Sequence, residues 1–238
     1  DIPLDGSTKV AIVTDPEYPQ NLIQLIYKQP NTKEKSLQDV RNNFAQELYN
    51  AMMGQRMQEL TQKANPPFLY GASQYGDFLG NLDSYTSIAL AKDAASMKTA
   101  LTTLLEENAR VQKFGFTQPE LDRAKKDFYN AVEEDYKERD KTKSANHVQE
   151  YLNHFLHEKA FMGAGEYFEF VKKHLNGVTL AEINGLAKKY ITDKNRAVVI
   201  MGPEKSKDAL PTEAEIRSLL NEAGKDVTAY VDDVVDAP

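Results

Sequence analysis

Four side chains in the second half of the chain have the types and spacing of a metal site. They are His147, Glu150, His154 and His157. They follow one another at steps of three, four and three residues, so a helix would place them on one face. Imidazole and carboxylate groups in such a set can bind zinc. The alternative is a polar helix face that happens to be rich in histidine, and we favour it because intrahelical spacing alone provides no closed ligand shell. We therefore predict that this chain binds no metal, and an independent metalloenzyme that uses this face stays open as a reading.

Other catalytic patterns are missing from the sequence. The chain contains no cysteine, which excludes disulfides, thiolate metal sites and cysteine nucleophiles. It contains neither the G-x-S-x-G turn of serine hydrolases nor the G-x-x-x-x-G-K-[ST] loop that binds phosphates. Carboxylates crowd residues 133–140 but are interleaved with lysine and arginine, which indicates a solvated helix end rather than an acid–base pair. The sequence thus predicts no catalytic residue, and we expect the isolated chain to be inactive.

The charge balance narrows the range of partners. The chain has 29 lysine and arginine residues against 36 aspartate and glutamate residues, a formal net charge of −7. Because phosphate backbones are bound by clustered lysine and arginine, we expect no nucleic acid partner. The apolar runs are only a few residues long, so we expect no membrane partner either. The sequence starts at Asp1 without an initiator methionine or an apolar leader, which suggests a processed or excised segment and leaves localisation open.

Hydrophobic periodicity predicts strands that alternate with long helices. The predicted strands cover residues 8–14, 22–27, 84–91 and 196–202. The predicted helices cover residues 37–62, 94–114, 144–160 and 165–175, and others open at Thr117, Thr179 and Thr212. This pattern predicts an α+β fold, a two-layer sandwich in which a mostly antiparallel sheet carries long helices on one face. We assign residues 1–203 to this domain, and residues 204–238 to an exit arm or linker with a short helix.

A segment with glycines and aromatic residues, 68–78, is the best candidate for ligand binding. Glycine within a strand pattern often marks the close approach of another backbone. Aromatic side chains beside an available strand edge suit the capture of an extended peptide, which adds to the sheet as a further strand. A plain hairpin with a bulge explains the same pattern, so both interpretations stay open at this point.

Short motifs occur in a characteristic order along nearly the whole chain. They are Gln55 to Leu60, Pro66-Pro67-Phe68 followed by glycines, Gly115-Phe116-Thr117 with Glu120-Leu121, Val178-Thr179 with Glu182-Ile183, and Asn195-Arg196 with Gly202-Pro203. This ordered set resembles the insulinase/pitrilysin family of zinc peptidases. The metal helix of that family carries H-x-x-E-H, in which two histidines bind zinc and the glutamate activates water. Here the nearest string is His154-Phe-Leu-His157-Glu158, in the wrong order, so the chain resembles a non-catalytic part of such an enzyme.

The resemblance implies a place in a larger protein. In this family each half of a clamshell contains two α+β modules, and only the first carries H-x-x-E-H. This chain looks like the second module of the N-terminal half of a large bacterial member, which implies a structural and substrate-holding role. The resemblance implies zinc in the parent enzyme but none bound by this chain. It also implies two kinds of partner, namely peptides or unfolded polypeptides and the other modules of the parent.

Two further expectations accompany that reading. A bacterial periplasm or cell envelope is the favoured location. A stand-alone inactive scaffold or binding subunit, which pairs with a separate active peptidase subunit, is the alternative function.

The resemblance also implies candidate binding residues. Second modules of insulinase-like members hold the N-terminal part of the substrate on a sheet edge, and the segment around Gly71 with the strand at 85–88 looks similar. The implied exosite consists of Tyr70, Gly71, Ser73, Tyr85, Thr86, Ser87 and Ile88. Arg56 and Tyr70 are placed loosely like an arginine and a tyrosine that reach the scissile bond in C-terminal halves. In an N-terminal half they would not face the zinc, so we assign them no catalytic role.

Overall fold

One five-stranded sheet supports the fold. A computed structural model describes residues 2–32, 34–139 and 162–232 of the chain. The strands are β1 (Thr8–Asp15), β2 (Asn21–Pro30), β3 (Tyr70–Asp77), β4 (Leu82–Ala91) and β5 (Arg196–Pro203). Their order across the sheet is β1-β5-β2-β4-β3. Every neighbouring pair is antiparallel except β1 with β5, which are parallel. The last strand along the chain, β5, lies between the first two.

Helices with well-formed N-termini fill the rest of the described chain. They are α1 (Leu37–Thr61), α2 (Met97–Phe114), α3 (Gln118–Glu138), α4 (Ala164–His174), α5 (Leu180–Tyr190) and α6 (Glu213–Glu222). The Thr-x-x-Glu sequences at Thr117, Thr179 and Thr212 form capping boxes, in which threonine and glutamate each satisfy a backbone N–H of the first turn. Ser36 and Asp39 do the same for α1. In the described part of the chain none of the helices is long and apolar enough to cross a membrane.

The helices pack on one face of the sheet. Ile23 and Leu25 of β2 are completely buried, whereas Leu22 and Gln24, which point to the other face, are half-buried. On the covered face Tyr85 of β4 meets Tyr49 of α1 edge to face, with ring centroids 5.8 Å apart. The predicted α+β sandwich, with a mostly antiparallel sheet and helices on one face, is therefore confirmed.

A buried ion network joins α1, α2 and α3. Only 1% of Arg56 is exposed, and its guanidinium donates to both carboxylate oxygens of Glu120 at 2.8 and 3.0 Å. It also donates to Glu107 and to the carbonyl of Gly115, each at 3.1 Å. Burial alone would lower the pKa of Arg56, but hydrogen bonds and charge from Glu120 and Glu107 raise it, so the arginine stays charged.

Residues beyond β5 also contact this domain. Leu210 packs against Gly202, and Ile216 of α6 is completely buried in the same core. The residues from 224 to 232 then cross back over the helices. The division at residue 203 between a domain and an exit arm stays a prediction, and residues 233–238 of the acidic tail lie outside the described residues.

The Arg56 network generates a stability prediction. Glu120→Gln removes one of two charges that face a buried arginine, and we expect a loss of about 3 kcal/mol in the free energy of unfolding. Glu169→Gln is the matched control, because Glu169 pairs with Lys172 on the surface with 69% of its side chain exposed, and we expect a loss below about 1 kcal/mol. Urea unfolding of the two variants measures both values. Equal losses would show that the buried network stabilises the fold no more than an exposed ion pair does.

Candidate functional site

Strand β3 lies at the edge of the described sheet and pairs with β4 alone. The N–H of Phe78, just beyond β3, donates to the carbonyl of Leu82 at 2.9 Å. In an antiparallel pair, residues alternate between those that bond the neighbouring strand and those whose backbone groups point away from it. Counting back from Phe78, the backbone groups of Gly71, Ser73 and Tyr75 point away from β4.

A side chain of α1 occupies one end of this edge. The N–H of Tyr75 donates to Asn50 Oδ1 at 2.8 Å, and Asn50 Nδ2 donates to the carbonyl of Tyr75 at 2.9 Å. The amide of Asn50 thus makes the two bonds that a further strand would make at this position. Ser73 is only 3% exposed, so the edge that a peptide can use is the part before it, at Gly71.

Packing explains the glycine at position 71. A Cβ atom there would lie 2.4 Å from Cε2 of Phe68, whose ring is 1% exposed. The close approach at Gly71 is therefore made by a buried aromatic ring and not, as the sequence pattern suggested, by another backbone. The strand register from Tyr70 to Asp77 runs without interruption, so the hairpin of β3 and β4 contains no bulge in this stretch.

Three of the predicted exosite residues form a buried polar cluster behind the edge. Ser73 Oγ donates to Ser87 Oγ at 2.8 Å, and both residues are at most 3% exposed. Asn108 of α2 donates to Ser87 Oγ at 3.0 Å and accepts from the Tyr85 hydroxyl at 2.9 Å. Burial raises the pKa of Tyr85 to about 12, so its hydroxyl stays a neutral donor. These side chains fix the hairpin to the helices and do not reach a ligand at the edge.

The strand at 85–88 lies inside the sheet. Residues Tyr85 to Ile88 pair with β2 on one side and with β3 on the other. Their backbone groups are therefore used by the sheet, and a proline at Ser87 would break an internal ladder. The side chains of Thr86 and Ile88 are half-buried on the face without helices. The structure thus brings only Tyr70, Gly71 and Ser73 to the edge itself.

Arg56 and Tyr70 occupy different environments. Arg56 is buried in its ion pairs, so its guanidinium is not available to a substrate carbonyl. Tyr70 is 53% exposed at the start of β3. No sequence pattern indicates the role of Asn50, because a helix pattern does not show which side chain reaches a strand 25 residues away.

The described residues provide no metal site. Within ranges 2–32, 34–139 and 162–232, no group of three or more His, Cys, Asp or Glu side chains could hold an ion. The predicted helix at 144–160 and the set His147, Glu150, His154 and His157 lie outside the described residues.

Several known proteins that share this fold are peptidases. No family model matches the sequence. The chain is 21% identical over 203 residues to a zinc protease PQQL-like protein of Arabidopsis thaliana, an alignment that covers 85% of this chain and 18% of the relative. The chain therefore spans about a fifth of the length of that relative.

Solved structures give a closer match in three dimensions. The periplasmic protease PqqL from Escherichia coli superposes with a TM-score of 0.89 at 18% identity, covering 99% of this chain and 26% of that one. The first half of the same protease gives a TM-score of 0.86 at 19% identity, with 97% of this chain and 50% of that one covered. A ferredoxin protease FusC mutant in complex with Arabidopsis ferredoxin gives a TM-score of 0.76 at 12% identity, and the match covers 99% of this chain and 26% of that one. The predicted resemblance to insulinase-family zinc peptidases is thereby confirmed, and the chain has the fold of one module of such proteins.

The close contact at Gly71 generates a prediction with a built-in control. Gly71→Ala should cost about 1–3 kcal/mol, because the new methyl group displaces the buried ring of Phe68. Gly76→Ala in the same strand has nothing within 4 Å of the new methyl group and should be neutral or stabilising by up to about 1 kcal/mol. Thermal or urea unfolding measures both, and a neutral Gly71→Ala would contradict this packing of Phe68.

Proposed function

We propose that this chain is a non-catalytic module of a zinc peptidase and that it holds extended substrate along the edge of β3. The observation that carries the proposal is the superposition of nearly the whole chain on a quarter of the E. coli protease PqqL. A module that fills a quarter of such an enzyme, and whose sequence lacks H-x-x-E-H, contributes to substrate handling rather than to hydrolysis.

The open part of β3 supports the substrate-holding role. Gly71 is half-buried at the edge, and its outward N–H and C=O groups offer two backbone hydrogen bonds to an extended peptide. Tyr70 adds an exposed side chain at the start of the strand, and Asn50 occupies the edge at Tyr75. The site therefore accommodates a short segment of main chain with little demand on its sequence.

Binding to the isolated chain should be weak. Each net hydrogen bond stabilises by only about 0.5–1.5 kcal/mol. Association and the ordering of a flexible peptide cost several times that amount. Enclosure by other modules of the parent would supply the missing contact area, which is why we assign this edge a holding role within a larger protein.

Hydrolysis would take place on another module of the parent. A bound zinc ion supplies an activated water molecule in this chemistry. The described residues of this chain do not fit a zinc ion, so we derive no catalytic step through them.

The bacterial periplasm or cell envelope is the location that we propose, by analogy with the periplasmic E. coli protease. Protein substrates are supported by the FusC structure, which contains a ferredoxin.

A titration tests the binding edge. An unstructured, uncharged peptide rich in valine and threonine is added to the ¹⁵N-labelled chain, and we expect amide shifts to concentrate around Gly71. The matched control peptide has the same side chains but carries a methyl group on every backbone nitrogen, which removes its donors. It should bind at least about tenfold more weakly, a difference of about 1.4 kcal/mol. Equal binding of the two peptides, or shifts confined to other elements, would remove the assignment.

A separate experiment tests the non-catalytic role. The pure chain, with and without added zinc, should not cleave an unstructured peptide, whereas the parent protein should cleave it in a chelator-sensitive way. Chelator-sensitive cleavage by the pure chain, abolished by His154→Ala, would instead support the metalloenzyme reading. An H-x-x-E-H sequence upstream in the same reading frame distinguishes a module of one enzyme from a scaffold subunit with a separate active partner.

A further inference from the structure

The last described residues, 224–232, form a strap that crosses the surface of α1, α2 and α3. Lys113 Nζ donates to the carbonyls of Gly224 and Lys225 at 2.6 and 2.8 Å. The Arg110 guanidinium donates to the carbonyl of Thr228. Cationic side chains of α2 therefore hold the first part of this strap by its backbone.

The second part of the strap is held by one ring and one carboxylate. The guanidinium of Arg56 lies 4.1 Å from the ring centroid of Tyr230, and the Tyr230 hydroxyl donates to Glu59 at 2.7 Å. Arg123 of α3 donates to the carboxylate of Asp232 at 2.8 Å. Cation–π and charged contacts thus replace the apolar burial that fixes the rest of the domain.

The strap covers the helices loosely. A cleft of about 550 Å³ lies between it and the helices, lined by Gln55, Glu59, Arg110, Ala229 and Tyr230 among others. Val231, between the two anchor residues, is 71% exposed. A segment with few buried apolar contacts and exposed hydrogen bonds belongs to the least stable parts of a structure.

The buried arginine does not depend on the strap for its hydrogen bonds. Arg56 keeps Glu107, Glu120 and the Gly115 carbonyl as partners when Tyr230 is absent. Gly224 is buried, with a φ of +83°, and a Cβ there would lie 2.4 Å from Cβ of Ala109, so the start of the strap is packed on α2 and the release that we consider begins beyond it. Release therefore exposes a charged groove without leaving an unpaired buried charge.

We propose that the strap is a detachable latch, which docks on a groove of mixed charge between α1, α2 and α3 through Tyr230 and Asp232. When docked, it covers the groove; when released, it uncovers the Arg110, Arg123 and Glu59 side chains that hold it. Residues 224–232 are the occupant of the groove, in which Tyr230 meets Glu59 and Asp232 meets Arg123. This proposal rests on the strap contacts alone and does not depend on peptide binding at β3.

Heteronuclear ¹⁵N{¹H} NOE values of the full chain test the latch. We expect residues 226–232 to give values between those of an unstructured tail and those of β4. Tyr230→Ala should lower the values of the strap to those of an unstructured segment and leave those of β4 unchanged, whereas Val231→Ala should alter neither. Raising sodium chloride from about 0.05 to about 0.5 M should lower the values of the strap, because the ion pair of Arg123 with Asp232 is screened.

Two results would overturn the proposal. A wild-type strap with the NOE values of an unstructured tail would show that it is not docked. A Tyr230→Ala chain in which the values of β4 also fall would show that the strap is part of the core and not a latch.

A peptide supplied in trans adds an independent measurement. A labelled peptide with the sequence of residues 224–232 should bind the Tyr230→Ala chain at least about tenfold more tightly than the wild type, whose groove is occupied. Equal affinity for the two chains would contradict a groove that the strap occupies reversibly.

Discussion

The buried arginine at position 56 determines how the helical layer is assembled. It connects α1 to Glu107 on α2 and to Glu120 on α3, and all three side chains are nearly inaccessible to water. Burying a charge is unfavourable unless partners surround it, so the three helices have one arrangement that satisfies the guanidinium. Glu120 also caps its own helix through Thr117, which couples the start of α3 to the same point.

The candidate edge depends on this layer for its geometry. Helix α1 carries both Arg56 and Asn50, and Asn50 bonds the backbone of Tyr75. Helix α2 carries Asn108, which holds Ser87 and Tyr85 behind the edge. A shift of either helix would therefore move β3, even though none of the buried residues would touch a peptide. The strap of residues 224–232 sits on the outside of the same network, against Arg56.

Much of the fold follows from local sequence patterns. The capping boxes at Thr117, Thr179 and Thr212 and the periodicity of α1 predict the described helices to within a few residues. The strand order does not follow, since β5 reaches its place between β1 and β2 only through the packing of the whole chain. That order decides which exosite residues are accessible. The alternation of side chains along a strand is enough to place Tyr85 and Ser87 on one face and Thr86 and Ile88 on the other. It does not show that this strand lies inside the sheet. Asn50 and Glu120 acquire their roles through contacts 25 and 64 residues away, for which sequence spacing carries no signal.

We propose above all that β3 holds substrate within a larger peptidase. The most direct test is the structure of the parent protein with its catalytic glutamate replaced and a peptide trapped inside. We expect the peptide to continue the sheet beyond β3, with backbone atoms about 2.7–3.2 Å from the outward N–H and C=O groups of Gly71. A trapped peptide bound elsewhere, with the edge of β3 covered by another module, would contradict a substrate-holding role for this strand.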